Sequence, residues 1–346
     1  MSVSEPINTA VVTPGWLRGA SFDLKFIVGI PLLALVSGWA VVRNPDLFLP
    51  ILLADLWLLG YHHVVATYTR LCFDKASFEQ QRFLVVWLPF LVIGAVAALA
   101  FGVGFWTLAT IYFYWQWFHY TRQSYGVSQV YRRKADGLVT DDARLGKVIF
   151  YALPVWGILY RSHQDPGTFL ELELKVIATP AWAVDIAALV AVASLVLWLG
   201  QRLWMWWQGR LPIAHTLYML SHFTIFYVAY VMIDNIDYGW LVVNVWHNAQ
   251  YIVFVWLFNR NRFKDGIDPK APFLSRISQE ENAFKYVAVC LGLATATYLF
   301  LGTVVAALVP VIVIYQAINF HHYIVDSVIW KVRRKSLQQT LGLGRA

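Results

Sequence analysis

Charge, cysteine and long polar connections are what this chain has least of. Charged residues make up 14% of its 346 residues, against about 25% in ordinary soluble domains. Apolar residues make up 59%, and mean hydropathy is +0.56. Those figures exclude an ordinary water-soluble globule. The two cysteines, Cys72 and Cys290, form no CxxC pair, which excludes a disulfide framework and argues against a thiolate metal cluster. The N-terminus "MSVSEPINTAVVTPGWLRGASFDLK" has no basic stretch leading straight into a short apolar run, so no cleaved signal peptide is expected. No connection is long enough to fold as a soluble domain. Any chemistry must therefore take place between helices or at their rim.

What is there is apolar sequence in runs of about 20 residues, the length that crosses a hydrocarbon core. The runs are continuous, not alternating, which disfavours an outer-membrane barrel. The chain reads as all-α, a polytopic integral membrane helical bundle of about ten transmembrane helices. The expected spans are 22–43, 48–70, 82–102, 104–125, 146–160, 181–203, 212–233, 238–259, 284–303 and 306–331. The fifth holds Pro154 and is expected to kink or insert only in part. The third and fourth are divided only by "GVG" at 102–104. Around this transmembrane domain (22–333) lie an N-terminal cytoplasmic segment (1–21) and a basic tail (334–346).

Lys and Arg set the orientation. They gather after the second, fourth, sixth, eighth and tenth spans, as in Arg132, Arg133 and Lys134, or Lys331, Arg333 and Arg334. The opposite loops, "RNPD", "RSHQDPGTFLELELK" and "DNID", are poor in basic residues. Both termini are then cytoplasmic, and the net charge of +7 needs no nucleic-acid partner. A bacterial inner membrane is the expected location.

Against that background seven of the nine histidines fall within spans: His62, His63, His119, His222, His247, His321 and His322. Ionisable groups at membrane depth are costly and tend to be functional. All seven lie in one slab, about 6 to 12 residues from the cytoplasmic ends of their helices. They also sit on polar stripes at offsets of 3, 4 and 7. Asp55 aligns with His62, and His63 with Thr67 and Arg70. His119 follows Tyr112 and Trp115, His247 falls between Asn244 and Tyr251, and His322 lies between Asn319 and Asp326. Neighbouring histidines diverge by about 100° on a regular helix, so each of the pairs 62/63 and 321/322 is expected to divide its tasks.

This pattern suits a non-haem metal centre with those seven histidines as candidate ligands. Asp326 serves as a ligand or orienting partner. Asp326, Tyr251 and Asn248 are the candidate catalytic residues. Iron, one ion or two, is the expected cofactor, with copper or haem as alternatives. The expected function is a membrane oxygenase or oxidoreductase acting on a lipophilic substrate, among membrane lipids and inside an aromatic-walled cavity. Histidines at one depth also fit axial haem ligation or plain helix–helix hydrogen bonding; a metal or proton transporter is the further alternative, against which the histidines cluster in one slab instead of being strung across the bilayer.

In type of site the chain resembles the membrane-embedded, histidine-ligated iron enzymes, including the Brp/Blh carotenoid-cleaving family. The resemblance implies an all-helical fold without a soluble domain and iron held by histidines from several spans. No aligned motif carries individual ligands across. The desaturase boxes HxxxH and HxxHH are absent.

Arg70 and Arg122 end two spans in "TYTR" and "HYTR". The plainer account is anchoring by snorkelling, and the sharper one a clamp for an anionic headgroup or carboxylate. Arg132, Arg133 and Lys134 read as topological, and Trp204, Trp206 and Trp207 as an interfacial belt.

Overall fold

The computed structural model describes residues 15–135 and 143–343. The expectation of no leader at residues 1–14, the connection 136–142 and Arg345 in the basic tail lie outside the described residues.

Among the described residues six helices are long and apolar enough to cross a membrane: α1 (Ala20–Arg43), α2 (Pro45–Cys72), α3 (Phe83–Gly102), α6 (Ala181–Trp207), α8 (Ile236–Arg262) and α9 (Glu280–Val305). Each overlaps an expected span. The four remaining expected spans fall on helices with more polar faces: α4 (Trp106–Lys134), α5 (Ala143–Gln164), α7 (Ile213–Tyr227) and α10 (Val311–Ile329). α5 runs unbroken through Pro154 and is longer than expected. Gly104, at φ 134°, makes the turn between α3 and α4 that its "GVG" context suggested. A short hairpin, β1 (Thr168–Phe169) with β2 (Leu172–Glu173), is the exception to an all-helical chain. It seats Phe169 against Tyr112, Phe113 and Trp240.

The bundle is built around α8. Its most apolar window is 89% buried, although its hydropathy of 1.3 is the lowest of the six. α3 and α6, with hydropathies of 2.6 and 2.2, are only 28% and 22% buried in theirs. The most apolar helices thus have the outer positions, and the helix richest in amides has the interior. Asn235 caps α8, accepting from the Asp237 and Tyr238 amides at 2.9 and 3.1 Å. α1 and α2 pack along α8, α9 packs on α2, and α10 on α3, α4 and α2. Gly38 lets α1 come close, because a Cβ there would collide with Val242. Just past the C-terminal end of α2, burial would push the Asp74 carboxyl up. Its ion pair with Arg262 at 2.9 Å and the bonds from Ser77 outweigh that and hold it below the usual range.

Five π-helical turns interrupt these helices among the described residues: Lys25–Gly29, Leu56–Gly60, Phe83–Trp87, Val228–Met232 and Leu301–Val305. Such turns add a residue to the helical register and recur at functional positions. Three of them supply carbonyls to buried side chains. Leu58 accepts from His62 at 3.2 Å, Leu84 from His321 at 2.7 Å, and Ala229 from Arg161 at 2.9 Å.

Candidate metal centre

Four of the seven histidines converge with Asp326. His63 comes from α2, His119 from α4, His247 from α8, and His322 with Asp326 from α10. Donor atoms of His63, His247 and His322 lie within 4.8 Å of one another, as do those of His119, His322 and Asp326. His322 belongs to both groups. The four rings stand edge to face, with centroids 5.4 Å (His63–His247), 4.7 Å (His63–His322), 4.9 Å (His119–His247) and 5.1 Å (His119–His322) apart. All five residues are buried.

The turn Leu56–Gly60 decides which of the adjacent histidines on α2 belongs. On a regular helix an offset of seven returns to nearly the same face, so Asp55 would lie beneath His62. The extra residue of the π turn moves that alignment to an offset of eight. Asp55 accepts from Asn244 Nδ2 at 2.5 Å, while His63 faces His247, three residues further along the same α8 face. His62 points elsewhere, with Nδ1 3.2 Å from the Leu58 carbonyl.

Buried nitrogen and oxygen atoms nearly always have hydrogen-bond partners. Here Nδ1 of His63, Nε2 of His119, His247 and His322, and Oδ2 of Asp326 have none. These five sit on the residues of the two groups, whereas the unpartnered Nε2 of His62 and Nδ1 of His215 belong to neither, and the chemistry of the five is that of a metal-binding set. Two donors on one ion can lie no further apart than about 4.2 Å, twice a bond of roughly 2.1 Å. The observed spacing approaches that limit, so these groups could hold a metal ion.

Around the donors a hydrogen-bond relay fixes orientation. Tyr251 donates its one hydroxyl proton to Asp326 Oδ1 at 2.7 Å. Trp330 Nε1 donates to the Tyr251 oxygen at 2.8 Å. Thr67 Oγ1 is also 2.8 Å from that oxygen, and its proton goes there in preference to the His63 carbonyl at 3.4 Å. The Thr67 oxygen then accepts from His322 Nδ1–H at 3.2 Å. We therefore assign His322 the tautomer with a bare Nε2, which faces Asp326 Oδ2 at 3.5 Å. Two acceptors meeting in a dry interior repel unless a cation or a proton lies between them.

The other sequence candidates are placed differently. His321 has both nitrogens engaged, with Leu84 O at 2.7 Å and the Tyr68 hydroxyl at 2.9 Å. His222 contacts Ser124 Oγ at 3.0 Å and the Phe150 carbonyl at 3.2 Å, and stacks on the Phe150 ring. Neither of these, nor His62, is in a donor group. Tyr251 acts through Asp326. Asn248 lies against the π turn, where a Cβ on Gly60 would stand 3.5 Å from its amide nitrogen. Arg70 is sandwiched by Phe258 at 4.3 Å and Trp330 at 4.0 Å.

A cavity of about 460 Å³ reaches the centre from one side. Its lining runs from the buried His119, Asp326, Tyr251 and Tyr323, taken as its deep end, through the half-buried Trp115 and Trp330 to the exposed Arg122, taken as its mouth. Sequence reasoning passed over Trp330, although it stands one helical turn after Asp326. It also read Arg133 as topological only, whereas Arg133 is at the mouth of this cavity. A second polar chain, Tyr120 to Asn244 to Asp55 at 2.6 and 2.5 Å, meets the centre where Tyr120 packs 4.2 Å from the His247 ring.

No protein-family model, curated protein or solved structure matches this chain. A functional reading rests on the geometry of the centre.

Proposed function

We propose that this chain is a ten-span protein of a bacterial inner membrane with both termini cytoplasmic. We further propose that it holds non-haem iron, one ion or two, and works as an oxidoreductase of the oxygenase type on a lipophilic substrate. One observation carries the metal reading: the atoms of His63, His119, His247, His322 and Asp326 that lack partners belong to the residues that converge. Four imidazoles with a carboxylate suit iron, and copper is the alternative. Haem has less support, because four rings 4.7–5.4 Å apart leave no slot for a macrocycle between them.

Bound iron supplies electron and dioxygen chemistry that amino-acid side chains lack. The chain's own residues do the rest. Tyr251 and Thr67 hold Asp326 and His322 in position, which keeps the donors organised. Trp115, Tyr323 and Trp330 exclude water and orient an apolar chain. Of the five donor residues only His119 and Asp326 line the cavity, so substrate approaches from their side.

Elemental analysis and an absorption spectrum of the detergent-purified protein test this. The expected result is bound iron without a Soret band. His63→Ala and His322→Ala should lose the metal, and His222→Ala and His321→Ala should keep it. Equal metal in all four variants would overturn the ligand set, and a Soret band would move the reading to haem.

A further inference from the structure

We infer that the cavity beside the centre takes an amphiphile with an anionic head, whose apolar part is presented to His119 and Asp326. The inference rests on the functional reading above for what happens at the deep end, but its own evidence lies at the mouth. Arg122, Arg133, Lys331 and Arg333 all line the cavity, and Asp326 at its base is the one acidic residue in the lining. Among the described residues none of the four cations has a carboxylate within ion-pair distance. The positive-inside bias accounts for basic residues on this side of the bundle. It does not account for four of them ringing one aromatic cavity. Arg210, Arg276 and Lys285 satisfy the same bias and line no part of it.

The shape agrees with the charge. A volume of about 460 Å³ is that of a small-molecule site. Phe118 on α4 and Ser327 on α10 line the cavity and are also exposed on the bundle surface, so one side of it faces lipid. Each helical residue adds about 1.5 Å, which sets Arg122 about 4.5 Å and Arg133 about 21 Å beyond His119 along α4. A head held by this rim keeps its charge in the polar layer, where arginine recognises carboxylate and phosphate equally well. The chain extends inward past Trp115 and Tyr323. The required chemistry is one anionic group joined to an apolar chain, and a free fatty acid and an anionic phospholipid both supply it.

Quenching of tryptophan fluorescence reads this directly, since Trp115 and Trp330 line the cavity. The full chain in nanodiscs is titrated with dibromostearic acid and with its methyl ester. In parallel it is placed in discs holding brominated phosphatidylglycerol or brominated phosphatidylcholine. An anionic probe should half-saturate at roughly tenfold lower concentration than its neutral counterpart. Arg122→Gln combined with Arg333→Gln should abolish that preference, and Arg210→Gln should leave it intact. A preference shown by the acid pair assigns a free acid, and one confined to the phospholipid pair assigns a bilayer lipid. Equal quenching by charged and neutral probes, or a preference that survives the double variant, would overturn the inference. Metal content of the same preparations separates the two claims. A metal-free wild type that still prefers the anionic probe defeats the iron reading alone. A metal-loaded protein without preference defeats the anion site alone.

Discussion

At the scale of single residues, the centre depends on which proton sits where. Thr67 links Tyr251 to His322 Nδ1, so its hydroxyl holds the ligand tautomer. Thr67→Val should weaken metal binding about 10- to 100-fold, the usual cost of losing an orienting partner, while Thr67→Ser should restore it. Competition with a chelator of known affinity measures both, and unchanged binding by the valine variant would refute the tautomer assignment. His321 shows the opposite dependence. Its ring ties α10 to the π turn of α3, and its removal leaves the Leu84 carbonyl without that donor. His321→Ala should destabilise the fold by about 1–3 kcal/mol with metal content kept, as thermal unfolding of loaded protein would register. The histidine cluster itself was legible, because seven ionisable rings at one depth in apolar runs admit few accounts. Which of them face one another was not, since His222 and His321 look like ligands until both nitrogens are seen to be engaged.

At the scale of the helix, the turn Leu56–Gly60 is the part of the centre the sequence hides most completely. Counting at 3.6 residues per turn puts Asp55 beneath His62, and nothing in "DLWLLGYHH" announces an extra residue. Deleting Leu58 should restore regular α-helix and leave His63 seven residues from Asp55, on the face toward His247 that it now reaches at an offset of eight. The deletion variant should therefore keep its metal, and loss of metal would refute the register assigned to the turn. The "GVG" boundary between α3 and α4 was legible, because glycine marks breaks by its backbone chemistry, whereas the expected span 306–331 ran through Pro310 and so missed the start of α10 at Val311. The hairpin at Thr168–Glu173 was not. Leu170 and Glu171 adopt positive φ without being glycine, a conformation no local signal announces.

For the whole molecule, the inversion of polarity around α8 ties topology to function. Outer positions go to the most apolar helices, and the helix carrying Asn244, His247 and Tyr251 is enclosed. Hydropathy alone singles out six spans and leaves α4, α5, α7 and α10 undecided, because each spends part of its surface on polar contacts inside the bundle. Ten spans place the connection 264–270 on the cytoplasmic side, and six would place it outside. A cysteine at Lys264, in a background with Cys72 changed to serine, should resist an impermeant maleimide in intact cells and react once the membrane is opened. Labelling in intact cells would overturn the ten-span topology.

The donor residues are spread from position 63 to position 326, and α10 contributes two of them. A ribosome that has reached Pro310 has made His63, His119 and His247 but neither His322 nor Asp326. Loading of the proposed metal would therefore wait for the arrival of the last helix. A chain stalled before Val311 carries three of the five donors and neither of the two on α10.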